Sequence, residues 1–176
     1  MRQPHRVRRL VLLESLLGRL PGAGQFLAAG PPWWFGFHAV PGLAETVLAG
    51  HEDEYLDWFL RAGTADGTGI EPAVRDAFVR AYRGTEARRC GFSYYRAGRT
   101  NDQQITAAAG AGRLRVPTLA VGARPVGNSL YRQLEPVTDQ LTGHLIEDCG
   151  HLIPLDRPDE LLDLLIPFLS VRPDSG

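Results

Sequence analysis

A histidine between a β-rich run and a helix is the residue of this sequence best suited to chemistry. The run from Gly143 to Glu147 predicts a strand, and apolar periodicity from Asp159 to Leu169 predicts an amphipathic helix. Gly150 permits a tight turn between them, and His151 follows it. A loop histidine on a rigid scaffold, open to substrate, can act as a general base. A surface histidine without a catalytic role explains the same residues about equally well.

A carboxylate at the end of an apolar run is the second candidate. The run Leu10 to Leu13 is typical of a buried parallel strand, and Glu14 follows it directly. Glu14 would then lie at the carboxyl end of a sheet, where open α/β sheets bind ligands. From the residues alone, a solvated acid at a strand end is the favoured interpretation.

The residues around His151 resemble the C-terminal signature of α/β-hydrolases, particularly the branch of epoxide hydrolases and haloalkane dehalogenases. Members of that branch end in Gly-His followed by an (E/D)RP(E/D)EL helix. The matching residues here are Gly150-His151 and then Asp156 to Leu161. The resemblance covers nearly the whole chain. It implies an α/β class, a partial α/β-hydrolase fold with mainly parallel strands and an inserted helical cap.

The resemblance also divides the chain into three parts. Residues 1–30 would form a strand and loop of the core, and residues 31–112 a helical cap. Residues 113–176 would supply the C-terminal core strands and helices, with His151 among them.

Apolar stripes predict where helices lie. Helices are expected from Glu45 to Leu60, from Glu71 to Tyr82, from Glu86 to Ala97 and from Leu130 to Leu141. The stretch from Asn101 to Gly112 is polar and then rich in Ala and Gly, and is interpreted as a link back to the core.

The resemblance implies roles for the candidate residues. A complete relative would use an Asp nucleophile on an epoxide or C–halogen carbon, His151 would activate water against the ester, and Glu14 would orient His151. Epoxide opening puts negative charge on oxygen, which a phenol in a dry pocket can stabilise. Tyr95, followed by Arg96, matches the tyrosine that does this in the branch. Packing within the cap explains Tyr94 and Tyr95 equally well.

Aromatic residues crowd the segment from Trp33 to His38. Four bulky aromatics within five positions would be costly to expose, and they are more often core. The segment resembles the first cap helix of the branch, which lines the substrate pocket. Trp34, Phe37, His38 and Tyr94 are therefore the candidate substrate-binding residues, although a packed, hydrogen-bonded His38 is the favoured interpretation. The second cap tyrosine of the branch falls on or near Trp34, which is no equivalent donor.

Three parts of the branch's machinery are missing from this sequence. Many hydrolases place the triad acid directly after a strand like Arg115–Ala123, but the residues here, Gly122 to Gly127, include no carboxylate. This absence strengthens the interpretation of Glu14 as the triad acid. No Gly-x-(Asp/Ser)-x-Gly nucleophile elbow occurs: Gly127–Tyr131 lacks the second glycine, and Thr64–Thr68 lacks both outer ones. The upstream oxyanion-hole motif is also missing.

A base and an acid without a nucleophile cannot run covalent hydrolysis. The sequence therefore predicts an epoxide hydrolase-like chain that is truncated and inactive as it stands. One alternative is a non-catalytic remnant that binds apolar ligands under its cap. Another, within enzymes, is a haloalkane or haloacetate dehalogenase or an esterase, because the resemblance does not tell Asp from Ser as nucleophile.

Composition narrows the class of protein. The chain has 176 residues with 44% hydrophobic and 22% charged residues, which suits one globular domain. A net charge of −1 gives no reason to expect nucleic acid or an anionic membrane as partner. Cys90 and Cys149 are far apart and lack zinc-ligand spacing, so a reduced, cytoplasmic setting is expected. The sequence has Arg but no Lys, which is typical of a GC-rich genome, and a bacterial source is expected. We expect no cofactor and no metal, and a small apolar epoxide, halide or ester as the partner, with the oligomeric state left open.

Overall fold

The structure, a computed structural model, describes residues 3–68 and 70–170. Within these residues three strands and nine α-helices occur, together with 3₁₀ turns at Pro4–Arg6 and Glu135–Val137. The strands are β1 Leu10–Leu13, β2 Thr118–Gly122 and β3 Leu141–Leu145. The helices are α1 Trp33–Ala39, α2 Leu43–Val47, α3 Glu52–Ala62, α4 Pro72–Tyr82, α5 Thr85–Arg96, α6 Gly98–Gly110, α7 Ser129–Leu134, α8 Ile153–Asp156 and α9 Pro158–Ser170.

The strands form one parallel sheet in the order β1-β2-β3. In its register Leu10 pairs with Thr118, which in turn pairs with Leu141. Because all described strands run the same way, their carboxyl ends meet at one edge. The residues that follow β1, β2 and β3 are therefore brought close together, and Glu14 and the His151 loop are among them.

The central strand explains how the core forms. All residues of β2 are buried, and alternate side chains point to opposite faces of the sheet. On one face Leu119 and Val121 join a cluster that includes Leu161 of α9. On the other face Ala120 packs against Leu130 and neighbouring apolar residues of α7. The central strand is thus covered on both faces, whereas most residues of β3 are exposed.

Helices α1 to α6 lie between β1 and β2 in the chain, and residues 33–110 are called the helical segment below. A cluster of its own holds it together, with Ala44, Leu48 and Phe92 buried at the centre. Phe37, Tyr55 and Tyr82 pack around that centre. No helix in the described ranges is long and apolar enough to cross a membrane.

The predicted elements with strong apolar patterns are confirmed. The strand predicted over Leu10–Leu13 is observed with those bounds. The strand predicted over Arg115–Ala123 is present but shorter, and the strand predicted over Gly143–Glu147 begins and ends two residues earlier. The C-terminal helix is one residue longer at each end than predicted. The predicted α/β class and parallel sheet with inserted helices are therefore observed in the described residues.

Two helix boundaries were wrong because glycine and proline interrupt the patterns. The helix expected from Glu45 to Leu60 is two helices, and Gly50 between them has a left-handed φ of 82°. The helix expected from Leu130 to Leu141 ends at Leu134. Pro136 lacks an N–H and cannot continue an α-helix, so a 3₁₀ turn follows.

The link expected from Asn101 to Gly112 is also wrong, because it is helix α6, Gly98–Gly110. None of its residues is fully buried, so its sequence has no strong apolar stripe that would predict a helix. Its Ala and Gln residues are good helix formers, and their propensity outweighs the lack of amphipathicity.

Candidate active site

Glu14 is held in an unusual backbone conformation at the end of β1. Its φ is +38°, and it is the only non-glycine residue with positive φ in the described ranges. Its N–H donates to Val121 O at 2.8 Å, which keeps it attached to β2. The side chain is buried, so the solvated acid favoured from the residues alone is wrong. Strain of this kind persists where the surrounding structure enforces it, and it is common at functional sites.

The Glu14 carboxylate accepts hydrogen bonds from the loop after β2. Oε2 accepts the Ala123 N–H, and Oε1 accepts the Val126 N–H at 2.7 Å. This is the loop in which many hydrolases carry their triad acid and in which this sequence has none. Its backbone instead fixes a carboxylate that comes from the neighbouring strand.

His151 lies beside this carboxylate. Its Nδ1 is 3.8 Å from Glu14 Oε1, which is longer than a hydrogen bond but within ion-pair range. Catalytic hydrogen bonds are often long before substrate binds. The His151 side chain is 55% exposed and the Glu14 side chain only 2%, so a buried acid faces a histidine open to solvent. This arrangement can orient an imidazole as a general base toward water or substrate.

Gly150 is needed for a close approach between two backbones. A Cβ at Gly150 would lie 2.3 Å from Gly63 O, in the segment that follows α3. Leu152 N–H donates to the same carbonyl at 3.0 Å. The histidine loop therefore rests directly against the helical segment, and only glycine fits at position 150.

Cys149, next to this loop, is not equipped to be a nucleophile. Its side chain is buried, and burial, followed by the nearby Asp156, raises the pKa of its thiol to about 11. The thiol is therefore protonated at neutral pH, and a protonated, buried thiol is inert. Among the described residues, no group of three or more His, Cys, Asp or Glu is placed to hold a metal ion.

Tyr95 lies in an aromatic cluster of the helical segment. Its ring centroid is 4.5 Å from that of His38 and 5.6 Å from that of Phe35. Burial raises the pKa of Tyr95, so its hydroxyl stays protonated and able to donate. Its Oη makes no hydrogen bond to any described residue. Tyr94 beside it is 69% exposed.

His38 is packed and hydrogen-bonded, as favoured from the sequence. It is 3% exposed, its ring stacks on Phe92, and Nε2 lies 2.6 Å from Tyr55 Oη. Burial, reinforced by Arg96 and opposed by Glu45, lowers the pKa of His38 to about 4. The imidazole is therefore neutral at physiological pH and contributes a polar but uncharged group to the cluster.

The structure thus forms two separate groups of candidate residues. Glu14 and His151 meet at the carboxyl edge of the sheet. The candidates of the helical segment contact one another through their rings and, together with Phe35, form what is called the aromatic cluster below. Its members are Trp34, Phe35, Phe37, His38, Tyr94 and Tyr95. No hydrogen bond, ion pair or ring contact within residues 3–68 and 70–170 joins the second group to the first.

The chain is similar to solved structures over almost its whole length. The alignment with Cfl2 from Burkholderia cenocepacia covers 95% of this chain, at 32% identity and a TM-score of 0.79. With the Cif epoxide hydrolase from Acinetobacter nosocomialis the coverage is 94%, the identity 21% and the TM-score 0.82. The fold is that of an α/β-hydrolase. The chain spans 58% of the first of these proteins and 54% of the second.

Sequence comparison agrees with the resemblance to epoxide hydrolases. A soluble epoxide hydrolase from Corynebacterium sp. (strain C12) is 26% identical over 82 residues, which are 47% of this chain and 28% of that protein. No family model matches the chain. The chain therefore has an α/β-hydrolase fold and is similar to epoxide hydrolases over the part that it spans.

One residue of the site was not assigned a role from the sequence. Asp156, the first residue of the signature after His151, accepts the backbone N–H groups of Gly150 and Ala65. Ala65 is 91 positions away in sequence, so no local pattern could have predicted that contact. The sequence feature that could have drawn attention to Asp156 is the acid at a fixed distance after the Gly-His pair.

Proposed function

We propose that this α/β-hydrolase chain carries the general base and the orienting acid of an epoxide hydrolase-type enzyme. The observation that carries the proposal is the placement of His151 Nδ1 at 3.8 Å from a buried Glu14 carboxylate. Two backbone amides hold that carboxylate at the carboxyl edge of a parallel sheet, where α/β proteins bind ligands.

The reaction has two half-reactions. A carboxylate nucleophile attacks an epoxide carbon, the C–O bond breaks, and the ring oxygen takes a proton from the Tyr95 hydroxyl. His151 then removes a proton from water, and the hydroxide attacks the carbonyl of the resulting ester, so that the acyl C–O bond breaks, the nucleophile is restored as a carboxylate and the diol leaves. Protonated His151 gives up its proton to solvent and the Tyr95 phenolate takes one from solvent, which restores both residues. We place the nucleophile in the part of the α/β-hydrolase fold that this chain does not span, because the sequence contains no Gly-x-(Asp/Ser)-x-Gly elbow.

We further propose that residues 31–112 act as the cap and that their aromatic cluster receives a small apolar substrate. Trp34, Phe37, His38 and Tyr94 belong to the same run of ring contacts as Tyr95. Aromatic walls with few polar groups are typical of small-molecule sites.

Cys90 and Cys149 are both free, which supports a reducing compartment, and we place the chain in the bacterial cytoplasm.

The test joins the part of the Acinetobacter nosocomialis epoxide hydrolase that this chain does not span to the full length of this chain. We expect the chimera to turn over styrene oxide. With His151→Ala we expect one equivalent of epoxide to be consumed and the covalent ester to accumulate, because the nucleophile still attacks but water is no longer activated. Intact-protein mass spectrometry detects the ester.

Asp148→Asn is the matched control, because Asp148 is an exposed acid three residues before His151. It should turn over like the parent chimera. Steady turnover by a His151→Ala chimera, or neither turnover nor ester in a parent chimera with native circular dichroism, would contradict the proposal.

A non-catalytic chain that binds apolar ligands is the second candidate, and the absence of a nucleophile elbow favours it. A haloacetate and a p-nitrophenyl ester, run beside styrene oxide, separate dehalogenase and esterase chemistry from epoxide opening. Saturable binding of styrene oxide without reaction in the folded parent chimera would favour the non-catalytic candidate.

A further inference from the structure

We propose that Asp156 is a positioning residue for His151, and that it acts by clamping the histidine loop to residues 63–65 of the helical segment. The inference rests on the proposed function, since it takes His151 as the base. It adds a residue and a mechanical link that the reaction itself does not require.

A single carboxylate oxygen of Asp156 joins two distant loops. Oδ2 accepts the Gly150 N–H at 2.5 Å and the Ala65 N–H at 2.9 Å. Gly150 precedes His151 directly, whereas Ala65 follows α3 in the helical segment. Hydrogen bonds to an ionised acceptor are stronger than neutral ones, so this oxygen is an effective clamp.

The other neighbour of His151 is attached to the same segment. Leu152 N–H donates to Gly63 O at 3.0 Å, so the residues before and after His151 are both fixed to residues 63–65. Arg124 adds a third link, because its side chain donates to Ala65 O at 3.2 Å and its backbone N–H donates to Cys149 O at 3.2 Å. The loop that holds Glu14 and the loop that carries His151 thus meet at one short segment.

This segment leads directly from α3, whose Phe59 ring contacts the rings of Trp34 and His38 in the aromatic cluster. A displacement of α3 would therefore pull on both neighbours of His151. Asp156 therefore links the position of the aromatic cluster to the position of His151.

The test compares Asp156→Ala with Asp156→Asn in the chain itself, with ¹⁵N-labelled protein. An asparagine oxygen can accept both N–H groups, whereas alanine can accept neither. In Asp156→Ala we expect the amides of Gly150 and Ala65 to exchange with solvent at least about tenfold faster, since a lost hydrogen bond to a charged group changes local opening by that order. The amides of α6 serve as an internal control and should not change.

The His151 ring supplies the readout that a purely structural role would not move. In Asp156→Ala we expect the ¹⁵N signals of the ring to shift, because the imidazole loses its placement against Glu14, and in Asp156→Asn we expect them to stay near those of the parent. Unchanged exchange at Gly150 and Ala65 in Asp156→Ala, or faster exchange with unchanged His151 signals, would overturn the proposal. Neither measurement depends on turnover, so its failure is distinguishable from failure of the proposed function.

Discussion

Glutamine in place of Glu14 is expected to lower epoxide turnover of the chimera by about 10²–10⁴-fold, as expected when an orienting acid beside a catalytic histidine is lost. Both oxygens of Glu14 accept backbone N–H groups, from Ala123 and Val126. A glutamine has only one acceptor oxygen, so its NH₂ group must face one of these donors. The variant thus loses both the negative charge beside His151 and one backbone partner.

The donor left unpaired also lowers the free energy of unfolding by about 1–3 kcal/mol. Rates are therefore compared at a temperature at which both proteins are folded by circular dichroism. Asp148→Asn removes an exposed acid from the same region and should leave the rate unchanged. A folded Glu14→Gln chimera that retains more than half of the parent rate would exclude Glu14 as the orienting acid.

Alanine in place of Gly150 is expected to lower the free energy of unfolding by about 1–3 kcal/mol, the usual cost of inserting a group into a packed site. Its Cβ would lie 2.3 Å from Gly63 O and 2.7 Å from Thr64 C. Both are backbone atoms, so no side-chain rotation relieves the overlap. The histidine loop must move away from residues 63–65, and the urea midpoint of the purified chain measures the cost.

Gly36→Ala is the matched control. Gly36 lies inside α1, and a Cβ there would meet nothing within 4 Å. Alanine at an open helical position should raise the free energy of unfolding by about 0.5–1 kcal/mol, because glycine loses more backbone entropy on folding. Equal midpoints for Gly150→Ala and the parent would mean that the two backbones are not in close contact.

The elements that a sequence pattern could predict are those that bury a continuous apolar run. Leu10–Leu13 is such a run, and the strand has those bounds. Helix α6 was missed because none of its residues is fully buried, so its stability comes from propensity and leaves no periodic signal. Pro136 and Gly50 were visible as breakers, yet the apolar residues around them outweighed them in the interpretation.

The pairing of Glu14 with His151 could be proposed from sequence only through the resemblance to the hydrolases. Composition and spacing indicate an acid at one strand end and a histidine after another strand, and they do not show that the two strands lie on either side of β2. The hydrogen bonds that Ala123 and Val126 donate to Glu14 come from backbone, which every sequence has. Only the fold shows that this loop holds the acid instead of supplying one.

The clamp at Asp156 lay beyond sequence reasoning for a related reason. Its partner Ala65 is 91 positions away, and the interacting group of Ala65 is an ordinary amide. The contact exists because the helical segment is inserted between β1 and β2 and returns to the carboxyl edge of the sheet after α3. A long-range contact of this kind follows from topology, and residue type carries no sign of it.

The central claim is that Glu14 orients His151 as a base, and ¹⁵N NMR of the histidine-labelled chain at mildly alkaline pH tests it most directly. His151 is assigned by comparison with His151→Asn. We predict that neutral His151 carries its proton on Nδ1, facing Glu14, with the Nε2 lone pair free to accept a proton from water. In Glu14→Gln this preference should disappear. The same tautomer population in both proteins would show that Glu14 does not orient His151 and would contradict the account.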